Sequence, residues 1–130
     1  MIHSGYCDDP TILDEDNLWR RIHPKWLKYD DNLGRVRPTS GAFQDPKDGS
    51  PMSVVLAKEL SNPKAYLEKF IDIDYTLASI TAGLARECCQ SVAREPQPDE
   101  PAHSVVFGKK TEKIRKRFAI EAEWVIPPSL

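Results

Sequence analysis

The stretch 61-SNPKAYLEKFIDIDYTLASITAGLARECCQ-90 decides the fold class, because it passes from one backbone period to another within a short span. Ser61 or Asn62 can cap a helix, and Pro63 follows at the first helical position, where a missing N–H costs nothing. Ala65, Tyr66, Leu67 and Phe70 give that helix an apolar side. From Ile71 to Tyr75 apolar and acidic residues then alternate, which is the period of a chain running extended. TLASIT at 76–81 suits a strand, and 82–90 suits a short helix with Leu84 and Cys88 on one face, weakened by Gly83. Helix, strand and helix in succession, without strands at regular spacing, predict an α+β fold.

Towards the C-terminus, the acidic loop EPQPDEP at 95–101 leads into HSVVFG at 103–108. Its branched and aromatic residues, bounded by Pro101 and Gly108, predict a strand. A last helix is expected after Thr111 and on to about Glu121, with Ile114, Phe118, Ala119 and Ala122 as its apolar stripe. Towards the N-terminus, MSVVL at 52–56 reads as a strand, or as the start of a short helix reaching Leu60. The stretch 18–53 is richest in chemistry. Pro24 removes a backbone donor and biases His23 to an extended conformation, so one short element to Ile22 and an extended piece over 25–29 are expected. Turns follow at DDNLG and RPTSGAF, and QDPKDGSP is a surface loop by composition. Residues 1–16 are acidic and broken by Pro10, and read as a flexible arm. Residues 17–130 read as one compact α+β domain with a small mixed sheet and about three helices.

Composition is that of an ordinary globular chain: 130 residues, 40% hydrophobic, 29% charged, net charge −2. No apolar run approaches the roughly 20 residues of a membrane-spanning helix, and MIHSGYCDDP has neither the basic nor the apolar region of a secretory signal. A cytoplasmic location is expected, with no membrane association. Cys7, Cys88 and Cys89 are too few and badly spaced for a disulfide framework, and no CxxC, HxH or HExxH spacing supplies a metal site. Reduced thiols, no metal and no cofactor are expected.

Several residues could carry chemistry. Arg20 and Arg21 offer planar forks for a phosphate or carboxylate, although pairing with the acidic residues at 14–16 would also account for them. His23 and His103 could act as bases or as donors to a phosphate, and His103 opens a predicted strand. Thr39 and Ser40, beside Gly41, could present hydroxyl and backbone N–H groups to an anion. The candidate catalytic set is therefore His103, Arg20 and Ser40, and the ligand-binding set adds His23 and Thr39. Lys109, Lys110, Lys113, Arg115, Lys116 and Arg117 form a local basic run that could meet phosphates, although the acidic balance disfavours nucleic acid as the main partner.

Arg20, the turn Thr39-Ser40-Gly41-Ala42-Phe43 and MSVVLAKEL with Glu59 together resemble the RES-type ADP-ribosyltransferase-like toxin domains over about 19–60. The resemblance implies an arginine, an aromatic-bearing turn and a glutamate gathered around NAD. The chain lacks the doubled glycine of that turn. With no specific catalytic motif, the leading expectation is a non-enzymatic domain that binds another protein through its tryptophans. The alternative is a small enzyme or binder of a nucleotide or other phosphorylated ligand, and a third reading is nucleic-acid binding through 109–117. Convergence of Arg20, His103 and the Thr39–Ser40 turn in one pocket would favour the second.

Overall fold

The computed structural model describes residues 6–129. Along them run β1 (Asn17–Ile22), a 3-10 turn at Pro24–Trp26, β2 (Leu27–Asp30), β3 (Arg35–Pro38), a second 3-10 turn at Ser40–Phe43 and β4 (Met52–Leu56). Then come α1 (Pro63–Leu67), β5 (Thr76–Thr81), α2 (Ala82–Glu87), β6 (Ser91–Arg94), β7 (His103–Phe107), α3 (Glu112–Glu121) and β8 (Glu123–Ile126). Six strands make one sheet in the order β6-β7-β4-β1-β5-β8, while β2 and β3 form a separate hairpin. The α+β class, the single domain, the small sheet and the three α-helices are as the sequence predicts. All the named pairings are antiparallel, whereas a mixed sheet was expected. Short returns such as 95–102 between β6 and β7 allow only this sense, since a parallel neighbour needs a crossover of about a dozen residues or more.

Local signals place the helix ends. Asn62 Oδ1 accepts from the backbone N–H groups of Lys64 and Ala65 at 2.9 and 3.3 Å, with Pro63 behind it. Thr81 Oγ1 accepts from Leu84 N at 3.0 Å, and Thr111 Oγ1 from Ile114 N at 3.3 Å. The sheet then separates two cores, because side chains alternate along each strand. Leu18, Ile22, Met52, Val54 and Leu56 face Phe43 and Phe118, whose rings meet edge to face at 6.0 Å. On the opposite side Val55, Leu77 and Tyr66 form a smaller cluster with Trp19 and Phe70 against it. With five residues, α1 covers only part of that second face, and the uncovered part is a cavity.

The N-terminal arm, expected to be flexible, is bound into the domain over the part described, 6–16. Ile12 is fully buried in the first core. Asp9 N donates to Val92 O at 2.8 Å, and Asp8 Oδ1 accepts from Val92 N at 2.9 Å. Asp14 meets Arg86 at 2.7 Å and Asp16 meets Lys58 at 2.8 Å. Asp14 and Asp16, two of the acidic residues expected to pair with Arg20 and Arg21, are therefore taken by other cations. His3 lies outside the described residues. No helix among the described residues is long and apolar enough to cross a membrane.

Candidate functional site: a cationic aromatic pocket at a split in the sheet

The site begins where two central strands part. Pairing of β1 with β4 covers Leu18↔Leu56 and Trp19↔Val55 and then stops. Beyond that point β1 stays paired with β5 as far as Ile22, and β4 with β7 as far as Met52. Extending the lost register would set Arg21 opposite Ser53. Instead the Arg20 guanidinium occupies the opening: Nε donates to Ala42 O at 2.9 Å and Nη1 donates to Ser53 O at 2.8 Å. In an antiparallel strand the N–H and C=O of one residue point to the same side, so the Ser53 N–H looks into the same opening. Arg20 is held at some cost. Burial, reinforced by repulsion from Arg21, lowers its pKa to about 10, which still leaves it charged at neutral pH. Asp45 attracts it from below, but the Asp45 carboxylate is itself engaged by the buried Lys110 ammonium at 2.7 Å.

Above the split lies a cavity of about 700 Å³. Its walls are aromatic, with Trp19, Trp26, Tyr66, Phe70 and Tyr75 all contributing. Arg21 crosses it with its guanidinium 3.7 Å from the Phe70 ring centre and 5.0 Å from that of Tyr75. Burial raises the pKa of the Tyr66 hydroxyl, against the opposing pull of Arg21, so Tyr66 stays neutral. Among the described residues neither Arg20 nor Arg21 has a carboxylate at ion-pair distance, unlike Arg37, Arg86, Arg94, Arg115 and Arg117. At the rim Lys69 is held by Glu100 at 2.8 Å and by the Asp99 carbonyl at 3.0 Å. His23 Nδ1 accepts from Lys25 N at 3.1 Å, so a neutral His23 ring carries its proton on Nε2 and can donate.

Across the pocket floor, Ser53 on β4 and His103 on β7 lie on neighbouring strands. His103 Nε2 is 3.2 Å from Ser53 Oγ, and its Nδ1 is 2.9 Å from the Glu95 carbonyl oxygen and 3.4 Å from Glu95 Oε1. Both groups near Nδ1 can accept, and the carbonyl can only accept, so in the neutral ring Nδ1 carries the proton. That leaves the Nε2 lone pair facing the Ser53 hydroxyl. Glu95 is itself held in place, its Oε2 accepting from the Tyr6 hydroxyl and its backbone N donating to His103 O at 2.9 Å.

The residues singled out from sequence divide accordingly. Arg20, His23 and His103 line this cavity, although 80 or more positions separate the last from the first two. Thr39 and Ser40 do not. Thr39 N donates to Trp26 O at 2.8 Å, and Ser40 Oγ donates to Glu112 Oε1 at 3.0 Å, which turns that loop towards α3. The serine in the site is Ser53. Its one legible trace is its phase: the polar member of MSVVL on the face opposite Met52, Val54 and Leu56. Tyr66 and Phe70 were legible only as the apolar side of a helix, and Tyr75 and Glu95 not at all, because the path that brings the aromatic residues to the cavity and Glu95 to His103 is not specified by the local sequence. Glu59 lies outside the cavity in an ion pair with Arg94, so it does not gather with Arg20 as the toxin resemblance implies for NAD. In the basic run, Lys110 is buried against Asp45, Arg115 pairs with Glu112, and Arg117 pairs with Glu87 and Glu121. Only Lys109, Lys113 and Lys116 stay exposed there without an ion-pair partner among the described residues. No group of three or more His, Cys, Asp or Glu among the described residues could hold a metal.

No family model, no curated protein and no solved structure matches this chain.

Proposed function

We propose that this domain binds a small anionic ligand with a planar portion, a nucleotide or another phosphorylated aromatic compound, in the cavity at the sheet split. The observation that carries the reading is the pair Arg20 and Arg21, both lining a cavity of about 700 Å³ and neither with a carboxylate at ion-pair distance among the described residues. Arg20 shares the attraction of Asp45 with Lys110, and Arg21 lies against the Phe70 and Tyr75 rings, so a bound anion would complete the pairing of both through charge-assisted, forked hydrogen bonds. Five aromatic walls suit a flat group stacked between them. The volume falls within the roughly 300–1,000 Å³ usual for small-molecule sites.

Isothermal titration with AMP against adenosine, and with phenyl phosphate against phenol, tests the reading. The phosphorylated member of each pair is expected to bind more tightly, and Arg21→Ala to weaken it by about 10- to 100-fold, the range for losing one hydrogen bond to a charged group. Equal binding of charged and neutral members, or none, would remove the reading. A protein-binding role is favoured by one other observation: Ile71 is 83% exposed at the end of the segment that carries Phe70. Crosslinks to a partner that map elsewhere than 70–75 would count against it. We place the protein in the cytoplasm, in keeping with unpaired Cys7, Cys88 and Cys89.

A further inference from the structure

We propose that the pocket is also catalytic, with Ser53 as nucleophile and His103 as general base in the hydrolysis of carboxylic esters carried on a planar anionic group. The proposal rests on the anion-binding reading above, because that group is what would bring the ester to the floor of the cavity.

Three features of the site point to it. First, the tautomer is the productive one. Nδ1 of His103 faces a carbonyl oxygen at 2.9 Å and a carboxylate oxygen at 3.4 Å, so the bare Nε2 is turned to the Ser53 hydroxyl at 3.2 Å. Catalytic hydrogen bonds of that length tighten when substrate seats. Second, the imidazole is fixed from both sides. Glu95 is tethered by the Tyr6 hydroxyl and by its own backbone bond to His103 O at 2.9 Å, and a carboxylate beside Nδ1 stabilises the imidazolium that forms during proton transfer. Third, positive charge sits beside the nucleophile. Arg20 is bonded to the Ser53 carbonyl at 2.8 Å and uses Nε and one Nη1 hydrogen on the protein, leaving its remaining N–H groups for an oxyanion. A serine placed only for packing needs none of the three.

The chemistry balances without a metal or redox partner. Ser53 Oγ attacks the ester carbonyl carbon while its proton passes to His103 Nε2, and the carbonyl oxygen becomes an oxyanion beside Arg20. The tetrahedral intermediate expels the alcohol oxygen, which takes the proton back from Nε2, and the acyl group remains on Ser53. Water then gives a proton to Nε2 as its oxygen adds to the acyl carbon. Collapse breaks the Ser53 Oγ–carbon bond, returns the proton to Oγ and releases the acid.

The test uses the whole chain with 4-acetoxyphenyl phosphate, which carries both the ester and the planar anion. Release of 4-hydroxyphenyl phosphate is expected, together with an acetyl adduct on Ser53 seen by mass spectrometry after acid quench. Ser53→Ala and His103→Gln should each slow release by at least about 10²-fold. Ser40→Ala, outside the cavity, should leave it unchanged. Binding of phenyl phosphate, which has no ester, shows whether each variant keeps a folded pocket. If wild type and Ser53→Ala bind phenyl phosphate equally but hydrolyse the ester at the same rate, or if the adduct forms elsewhere, the nucleophile is overturned and the binding reading stands. If phenyl phosphate does not bind to wild type, both fall together.

Discussion

Arg20 closes the gap left where β1 and β4 separate, and replacing it should show what the gap requires. In Arg20→Met the carbonyl oxygens of Ser53 and Ala42 lose donors now at 2.8 and 2.9 Å. At about 1–3 kcal/mol for each polar group left unsatisfied, the loss is about 2–6 kcal/mol. Methionine, however, needs no desolvated charge. Burial lowers the Arg20 pKa to about 10, which corresponds to a penalty on the charged form of about 3 kcal/mol, to order of magnitude. The two effects oppose, and the net change expected for Arg20→Met lies between about 1 kcal/mol of stabilisation and about 3 kcal/mol of destabilisation, centred on about 1 kcal/mol of destabilisation. Arg20→Lys is the more telling variant. It keeps the buried charge, is more strongly hydrated than a guanidinium, and as a point donor cannot span two carbonyls in the plane of a fork. It should therefore be the less stable of the two, by about 1 kcal/mol or more. Urea unfolding followed by tryptophan fluorescence measures this directly, since Trp19 and Trp26 line the cavity. Comparing midpoints requires an unchanged m-value. If Arg20→Lys matches wild type while Arg20→Met is far weaker, charge alone is what the split needs, and the two-carbonyl bridge is refuted.

Two further outcomes follow from the packing and the charge pairs. Ile12→Ala should destabilise by about 2–5 kcal/mol, the cost of emptying a fully buried aliphatic site. A change under about 0.5 kcal/mol in chemical denaturation would mean that the arm does not hold to the first core in solution. Asp30 accepts from Arg37 Nε at 2.6 Å, and from Leu33 N and Asn32 N, and its pKa is lowered, first of all by Arg37. For a carboxylate depressed in the folded state, the contribution is present above its ordinary value near 3.8 and is lost as pH falls through the folded value. Melting temperature against pH should therefore fall less steeply for Asp30→Asn than for wild type below about pH 4, and superimposable slopes would contradict the pairing.

How much of this could be read in advance depended on the range of the forces involved. α1, β5, β7 and α3 fall where the sequence predicts them, because their determinants lie within a few residues of each element. Asn62 and Thr111 cap their own helices, Pro63 is already suited to a first turn, and the branched residues of HSVVF suit a strand wherever it pairs. β6 and β8 went unseen. SVAR and EWVI carry weak local preference and become strands only by adding to β7 and β5. The antiparallel sense of the sheet and the docking of the arm belong to the same class, since the Asp9–Val92 and Asp14–Arg86 contacts join distant parts of the chain.

The site divides in the same way. From its own neighbourhood the sequence offered Thr39 and Ser40 as groups with chemistry on the same footing as Arg20, His23 and His103, the three that meet. Tertiary structure alone decided that these three share a cavity, that Ser53 rather than Ser40 completes it, and that Glu95 sets the tautomer of His103. The physical reason is the split itself. A ladder that ends at Trp19↔Val55 leaves a polar opening between two strands far apart in the chain. No local pattern announces where a strand pair will come apart, because its termination depends on what the two strands pair with on their other sides.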